Sequence, residues 1–468
     1  MSRLSRRSFI TAAAAFAAAP ALGAAPVTGE TDVIIIGAGA AGIAAARRVA
    51  AANRRFALIE ASDHIGGRCV TDTRTFGVPY DRGAHWIRTP ASNPVARLAG
   101  GTGLEVYPAP RGQKLRVGPR AAREGELEDF LATQVRSSRA IAEAARGKVD
   151  PPAVQALPKD LGDWRATAEF FLGPYTCGKD LSRVSSVDFA RLVERETAAF
   201  CRQGFGTLLA KLAANLPVRL STPVISIEWL KTLEVETDNG RLRGQTIVVT
   251  ASTGVLASGK IKFTPELPER HARAINALAL GSEDHIALEL PGNPLGLQPD
   301  DLVFEKAASA RTAALLARVS GSDLHVLKVG GAFGRDLAAQ GQDAMVAFAR
   351  EWLSSVFGND VKTKLKRSAA TNWNAEPWAL GAGSVASPGN QDARRALMSP
   401  IRERVFFAGE AVHETLWGTA GGAWESGTRA AEAALRKIGA IKDPEKEKKT
   451  REKPAPRHRH RHRRDEDE

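Results

Sequence analysis

The sequence predicts an α/β protein with a parallel sheet built on a dinucleotide-type turn. Three observations predict it. A short β-branched run ends in a glycine-rich turn. An alanine-rich helix follows the turn. A second apolar run follows the helix and stops at a carboxylate. All three lie within residues 32–68.

Residues 33–36 are uniformly apolar and too few for a helix, as in a parallel strand buried on both faces. Gly37, Gly39 and Gly42 then follow at the GxGxxG spacing of a Rossmann-like fold. Gly37 permits a sharp turn, Gly39 a close approach of backbone to a pyrophosphate, and Gly42 tight packing of helix on strand. Ala40 and Ala41 complete this candidate phosphate-binding turn. Residues 43–52 are helical by propensity, and the free N–H groups at the helix start favour an anion. Residues 56–59 form the second strand. Glu60 ends it, 18 residues after Gly42, where a carboxylate accepts both ribose hydroxyls of a dinucleotide and repels a phosphorylated ribose. With Ala61 beside it, the site suits the adenosine half of FAD or NAD rather than NADP.

Gly66-Gly67-Arg68 follows shortly after Glu60, and residues 80–87 read YDRGAHWI. Both blocks resemble signatures of the flavin amine oxidase family, which includes monoamine, polyamine and L-amino-acid oxidases. The resemblance selects FAD. It implies flavin-binding roles for Gly67, Arg68, Gly83, Ala84 and Trp86.

The chain has 468 residues, enough for two or three domains, and its 43% hydrophobic and 25% charged residues are ordinary for a globular protein. The net charge of +13 reflects scattered arginines at 111–146 and a basic C-terminus. No aromatic-interleaved basic motif accompanies them, so no nucleic-acid partner is read. Residues 1–25 read as a twin-arginine signal peptide: Arg6-Arg7 precede a mild alanine-rich run to Leu22 and small residues at Ala21, Gly23, Ala24 and Ala25. That signal implies folded export to the periplasm by the twin-arginine machinery. Cys69, Cys177 and Cys201 make no disulfide framework.

The resemblance implies discontinuous domains: an FAD-binding domain of residues 30–98, 205–262 and 395–440, and an α+β substrate domain of residues 99–204 and 263–394. Helices are expected at 126–146, around 163–172 and at 186–201, then from Gly204 through Ala214. Strands are expected from Val218, at 222–227, 234–237 and 246–250. The family likeness implies that Val224 touches the adenine side through its backbone. It also puts Ser252 where relatives carry proline.

Residues 279–290 resemble a family strand whose lysine holds a water near the flavin's reactive nitrogen. His285 takes that place here. One reading makes it a catalytic group that titrates near neutrality; the other makes it an ordinary strand histidine. Thr371-Asn372-Trp373 resembles the flavin-face motif, which assigns Trp373 to the cofactor. Gly383 falls where relatives place a cage tyrosine, and Ala382 where monoamine oxidases place the cysteine that bonds the flavin. The resemblance thus implies a non-covalent FAD and an incomplete aromatic cage. Trp378 or Trp417 is the candidate replacement wall for substrate binding.

Residues 404–410, RVFFAGE, read as a buried strand leading to Gly409 and Glu410. Gly418-Thr419-Ala420 then precedes a helix at 425–438. This resembles the final flavin motif, with Glu410 beside the ribityl-pyrophosphate linkage. Thr419 and Ala420 would sit where the helix dipole stabilises reduced flavin. Residues 441–468 are a charged tail with almost nothing to bury. His458, His460 and His462 alternate there, and no metal site is read from them.

The combined expectation is a periplasmic, FAD-dependent oxidoreductase. It takes a hydride from the carbon beside the nitrogen of an amine or amino acid. Dioxygen or a periplasmic electron carrier then accepts the electrons. Two other readings stand: a flavin enzyme desaturating or oxidising C–C or C–H bonds, and a flavoprotein without turnover. Fold alone does not separate them.

Overall fold

A computed structural model describes residues 28–110, 112–192 and 197–442. The predicted signal peptide and the charged tail beyond residue 442, with its three histidines, lie outside the described residues.

The protein has an α/β fold built on two large sheets. The first has eight strands and runs Val218–Arg219, Phe56–Ile59, Gly29–Ile36, Gly240–Val249, Glu234–Thr237, Val224–Glu228, Lys262–Thr264, with Val405–Phe407 also paired to Gly240–Val249. Gly29–Ile36 lies parallel to both its neighbours, Ile36 against Ile59 on one side and Val249 on the other. The apolar run is explained by this position. Val33 and Ile35 pack under the helices Ala40–Ala51 and Ala420–Lys437. Ile34 and Ile36 pack on the opposite face, against the helices Thr253–Ala257, Glu269–Ala277 and Ala393–Met398.

The two long helices on the first face touch backbone to backbone. A Cβ at Gly427 would lie 2.0 Å from the Ala41 carbonyl oxygen, so only glycine fits there. The first helix starts at Ala40, earlier than propensity suggests, because extended Gly39 is its N-cap. The closing helix also starts early, at Ala420 rather than residue 425. Thr419 caps it by accepting from the Gly422 N–H, and that satisfies a first-turn donor.

The second sheet has seven strands in the order Arg367–Ala370, Glu283–Glu289, Leu324–Gly330, Ala314–Leu316, Asp301–Glu305, Gly112–Val117, Arg120–Ala121. Helices Gly331–Ala339 and Gln342–Phe357 cover one face through Ile286, Leu288, Leu327 and Val329. Side chains alternate along a strand, so Glu283, His285 and Lys328 point to the other face. The chain segment 124–192 contributes the long helix Glu124–Ala144 and the shorter turns that close that side.

One predicted element is wrong. Residues 186–201 do not form a helix throughout. Ser186–Ala190 is helical, but Ala198–Cys201 is a fully buried strand, antiparallel to both Ile87–Arg88 and Val106–Pro108. Alanine's helix preference is a weak prior, and strand partners far away in sequence override it. The helix expected around 163–172 is interrupted too. Its α-turns, Arg165–Phe170, pass into a π-helical turn, Phe171–Tyr175, at Pro174, which cannot donate the regular bond.

Candidate functional site

One long cavity runs between the two sheets, from Glu60 to His285. At its first end the glycine turn has no room for side chains. Gly37 has φ of +99°, and a Cβ there would meet the Thr250 hydroxyl at 2.4 Å. A Cβ on Gly42 would lie 1.8 Å from the Gly37 oxygen. Gly39 caps the helix without a side chain, so the first-turn N–H groups around Ala40 and Ala41 remain for an anion. The Glu60 carboxylate is buried on the cavity wall beside Ala61 and Val224. It accepts from the Ala38 N–H at 2.6 Å and from Ser62 N–H and Oγ, each at 2.9 Å. Of roughly four lone-pair positions on a carboxylate, that leaves about one for a ribose hydroxyl.

Gly66-Gly67-Arg68 folds directly onto the glycine turn, through Gly66 N–H to the Ala38 oxygen at 2.9 Å. Arg68 is thereby fixed in mid-cavity. Its guanidinium donates to the Ala382 carbonyl and, at 3.1 Å, to Glu410. Gly83 passes so close that a Cβ would lie 2.1 Å from the Arg68 oxygen and 2.8 Å from the Trp373 ring. Ala84 and Trp86 continue along the wall. Trp373 is held from both sides: its ring N–H donates to the Arg82 oxygen at 3.1 Å, and its backbone N–H to Asp284 at 2.8 Å. Burial pushes the Asp284 carboxyl up to about 6.

Glu410 is a buried hub. It accepts from Arg68, from Ser384 N–H and Oγ, and from the Gly418 N–H at 2.9 Å. Burial alone would raise its pKa, but Arg68 and Arg394 hold it below the usual carboxylate range. Gly409, Thr419 and Ala420 line the same stretch, and Gly409 sits at φ of +130°.

The far end holds His285, Glu283, Lys328, Arg88, Tyr175 and Trp86. His285 faces Lys328 directly across the antiparallel pair. Its Nδ1 donates to the Asp81 carbonyl at 3.3 Å, which leaves the lone pair on Nε2. Burial pushes its pKa down to about 4; Glu283 opposes that shift and Lys328 adds to it. The imidazole is therefore neutral at pH 7. Lys328 pairs with Glu283 at 2.7 Å. His85 donates through Nδ1–H to the buried Asp81 carboxylate at 2.7 Å.

Of the two candidate cage walls, Trp378 lies at the cavity rim with 39% of its surface exposed. Trp417 lines the cavity from within the core. It is only 1% exposed, packs under the Arg394 guanidinium, and donates its ring N–H to the Asp188 oxygen. The buried Asp188–Arg394 pair, at 2.7 Å, draws that indole into the core.

Arg88, Tyr175, Glu283 and Lys328 were not singled out from the sequence. Arg88 stands one residue beyond the YDRGAHWI block, and Pro174 inside a helical pattern marked the turn that places Tyr175. The meeting of Glu283 with Lys328 depends on sheet register, which has no local signal.

The donor set fits a flavin dinucleotide: a helix start without a side-chain cap for phosphates, a buried carboxylate for ribose, and a wall formed by Gly83, Trp373 and the start of the closing helix. Residues 40–435 match the family of flavin-containing amine oxidoreductases. The chain is 27% identical over 433 residues to lysine-specific histone demethylase 1B of Mus musculus, covering 86% of this chain and 52% of that protein. It thus spans about half the length of that relative. It is 25% identical to polyamine oxidase 4 of Oryza sativa subsp. japonica, over 87% of this chain and 89% of that one. Among solved structures, cyclohexylamine oxidase from Brevibacterium oxydans superposes with a TM-score of 0.74 at 22% identity, covering 88% of this chain and all of that one. Wild-type putrescine oxidase bound to putrescine gives 0.74 at 17% identity, over 87% of this chain and 99% of that one. At these identities the structural likeness speaks for the fold.

Proposed function

The chain belongs to the flavin-containing amine oxidoreductases, and from that premise we propose that it is an FAD-dependent oxidase or dehydrogenase of a small amine, holding its cofactor without a covalent bond. The observation that carries this reading is the single cavity linking Glu60 and the glycine turn to Trp373 and His285. With its adenosine half at Glu60 and the glycine turn, a dinucleotide would put its reactive ring towards the His285 end.

Held between Glu60 and Trp373, FAD would supply the hydride-accepting chemistry for the substrate's α-carbon, with dioxygen or a periplasmic carrier as the electron acceptor. The chain's own residues bind, orient and exclude water. Glu60 would hold the ribose. The N–H groups at Ala40 and Ala41 face the phosphates. Arg68, fixed by Glu410, supplies positive charge in mid-cavity. The closing helix, capped by Thr419, points its positive end into the cavity and favours the reduced, anionic state of the ring. His285, neutral, adds no charge of its own. Two cysteines, Cys69 and Cys177, line the cavity. Burial pushes the Cys69 thiol up to about 12, which makes it a poor nucleophile. Ala382 has no thiol at all, so a thioether at that position is impossible.

The twin-arginine segment supports export of the folded, FAD-loaded protein to the periplasm. The reading as a whole is tested by purifying the holoprotein and adding amines anaerobically. Bleaching of the flavin spectrum is the expected result. A flavin that no amine bleaches, but that a C–C or C–H substrate does, would overturn it.

A further inference from the structure

One residue holds both histidines at the His285 end of the cavity. The Asp81 carbonyl accepts from His285 Nδ1 at 3.3 Å, and the Asp81 carboxylate accepts from His85 Nδ1 at 2.7 Å. In each ring the hydrogen sits on Nδ1, so Nε2 keeps its lone pair. The two rings are not equivalent. Burial and Lys328 disfavour an imidazolium at His285. Behind His85 stands a carboxylate, the partner that fixes an imidazole's tautomer and stabilises the imidazolium that forms. That carboxylate is itself held still: it accepts from the Phe205 N–H at 3.0 Å, at the start of the helix Phe205–Ala213, and from the Thr71 hydroxyl.

His85 Nε2 is buried and has no hydrogen-bond partner among the described residues. Such an acceptor is rare in a folded protein and calls for a role. Its ring packs on Phe200, with centroids 4.1 Å apart, and lines two spaces at once. One is the long cavity. The other is a chamber of about 30 Å³ beside it, with room for about two waters. Tyr80, whose hydroxyl is also buried and unpartnered, shares that chamber with both histidines. Its remaining wall is largely aliphatic, through Leu302, Leu316 and Val326.

The other titratable groups at this corner are poorer proton acceptors. Lys328 and Arg88 are cations, and Glu283 is paired with Lys328 at 2.7 Å. Burial pushes the Tyr175 phenol and the Cys69 thiol up to about 12.

We propose that the Asp81–His85 pair is the proton acceptor of this site, taking from a bound ammonium the proton it must lose before its α-carbon can give up a hydride. The inference rests on the amine-oxidising reading above and adds the base to it. One N–H bond of the ammonium breaks, its electron pair stays on the amine nitrogen, and a bond forms from the proton to Nε2. Nothing is oxidised or reduced in this step. The proton passes to water as the product leaves, and His285 remains neutral throughout.

The test is anaerobic reduction of the holoenzyme flavin from about pH 6 to about pH 10, by benzylamine or, failing that, by the amine that bleaches it fastest. His85→Phe keeps an aromatic ring on Phe200. It should slow reduction at least about tenfold at pH 7 and recover towards pH 10, where solvent deprotonates the amine unaided. His285→Gln should lack this pH-selective loss. A merely structural defect would slow reduction alike at every pH. A second measurement needs no turnover: tert-butylamine has no hydrogen on its nitrogen-bearing carbon and cannot be oxidised. Added to ¹⁵N-histidine-labelled holoprotein, it should produce one new imidazolium signal, absent from His85→Phe. An equal loss at pH 7 and pH 10, or no new imidazolium signal, would overturn the inference and leave the amine reading standing. A flavin that no amine bleaches would overturn both. If His85→Phe fails to hold FAD, His85→Gln replaces it, and if both fail the wild-type signal decides.

Discussion

Lowering the pH should destabilise this protein through His285, and the size of the effect follows from its surroundings. The imidazole is buried and faces Glu283, Lys328, His85 and the Asp81 carbonyl. Its pKa falls from 6.5 to about 4, chiefly by burial. In the unfolded chain the same group takes up a proton near 6.5. Its neutral form therefore favours the fold above that pH, and the contribution is lost as pH falls towards 4. Between pH 7 and pH 5 the linkage relation gives a loss of about 2 kcal/mol. For a chain of this length, that corresponds to a fall of about 2 °C in Tm. His325 is also pushed down to about 4 by burial and adds its own share. The assay is thermal melting of the holoprotein at pH 7 and pH 5, followed by flavin fluorescence, for wild type and His285→Gln. Glutamine keeps a polar side chain but cannot be charged, so the variant's Tm should fall by about 2 °C less. Shared carboxylate and His325 terms cancel in the comparison. Equal falls in both proteins would show that His285 does not stay neutral in the fold, and the reasoning from burial would fail.

Other expected outcomes follow from the cofactor end. Glu60→Gln should raise the FAD dissociation constant about tenfold or more, since a charged hydrogen bond is worth roughly 1.5–3 kcal/mol; unchanged occupancy with collapsed reduction kinetics would remove Glu60 from the ribose. Acid precipitation should release the flavin into the supernatant, and a yellow pellet would contradict non-covalent binding. Changing Arg6 and Arg7 to lysine together should strand the protein in the cytoplasm, as read by fractionation; normal periplasmic accumulation would show the signal to be misassigned. Trp417→Leu should lower Tm by several degrees, because it empties a core site and removes a cation–π contact, whereas Trp378→Leu at the rim should leave Tm within about a degree.

The sequence alone determined the glycine-turn end of the cavity. Gly37, Gly42 and Gly83 are dictated by backbone that leaves no space for a Cβ, and such demands act on single residues that stay visible in the chain. Glu60 was legible for a similar reason, since strand, turn and helix have nearly fixed lengths and bring the second strand's end beside the glycine turn. Only the tertiary structure decided the His285 end of the cavity. Glu283 and Lys328 lie on neighbouring strands, and their pairing depends on register; a slip of one residue would turn each side chain to the other face. Arg88 reaches the cavity on a strand held by Ala198–Cys201, the segment whose alanines suggested helix. Trp417 stood in a flavin-like motif, yet it is core because the distant Asp188–Arg394 pair claims its ring. Local geometry is written in local residues. Pairings between distant segments are set by which buried faces satisfy one another, and no single stretch of sequence contains that choice.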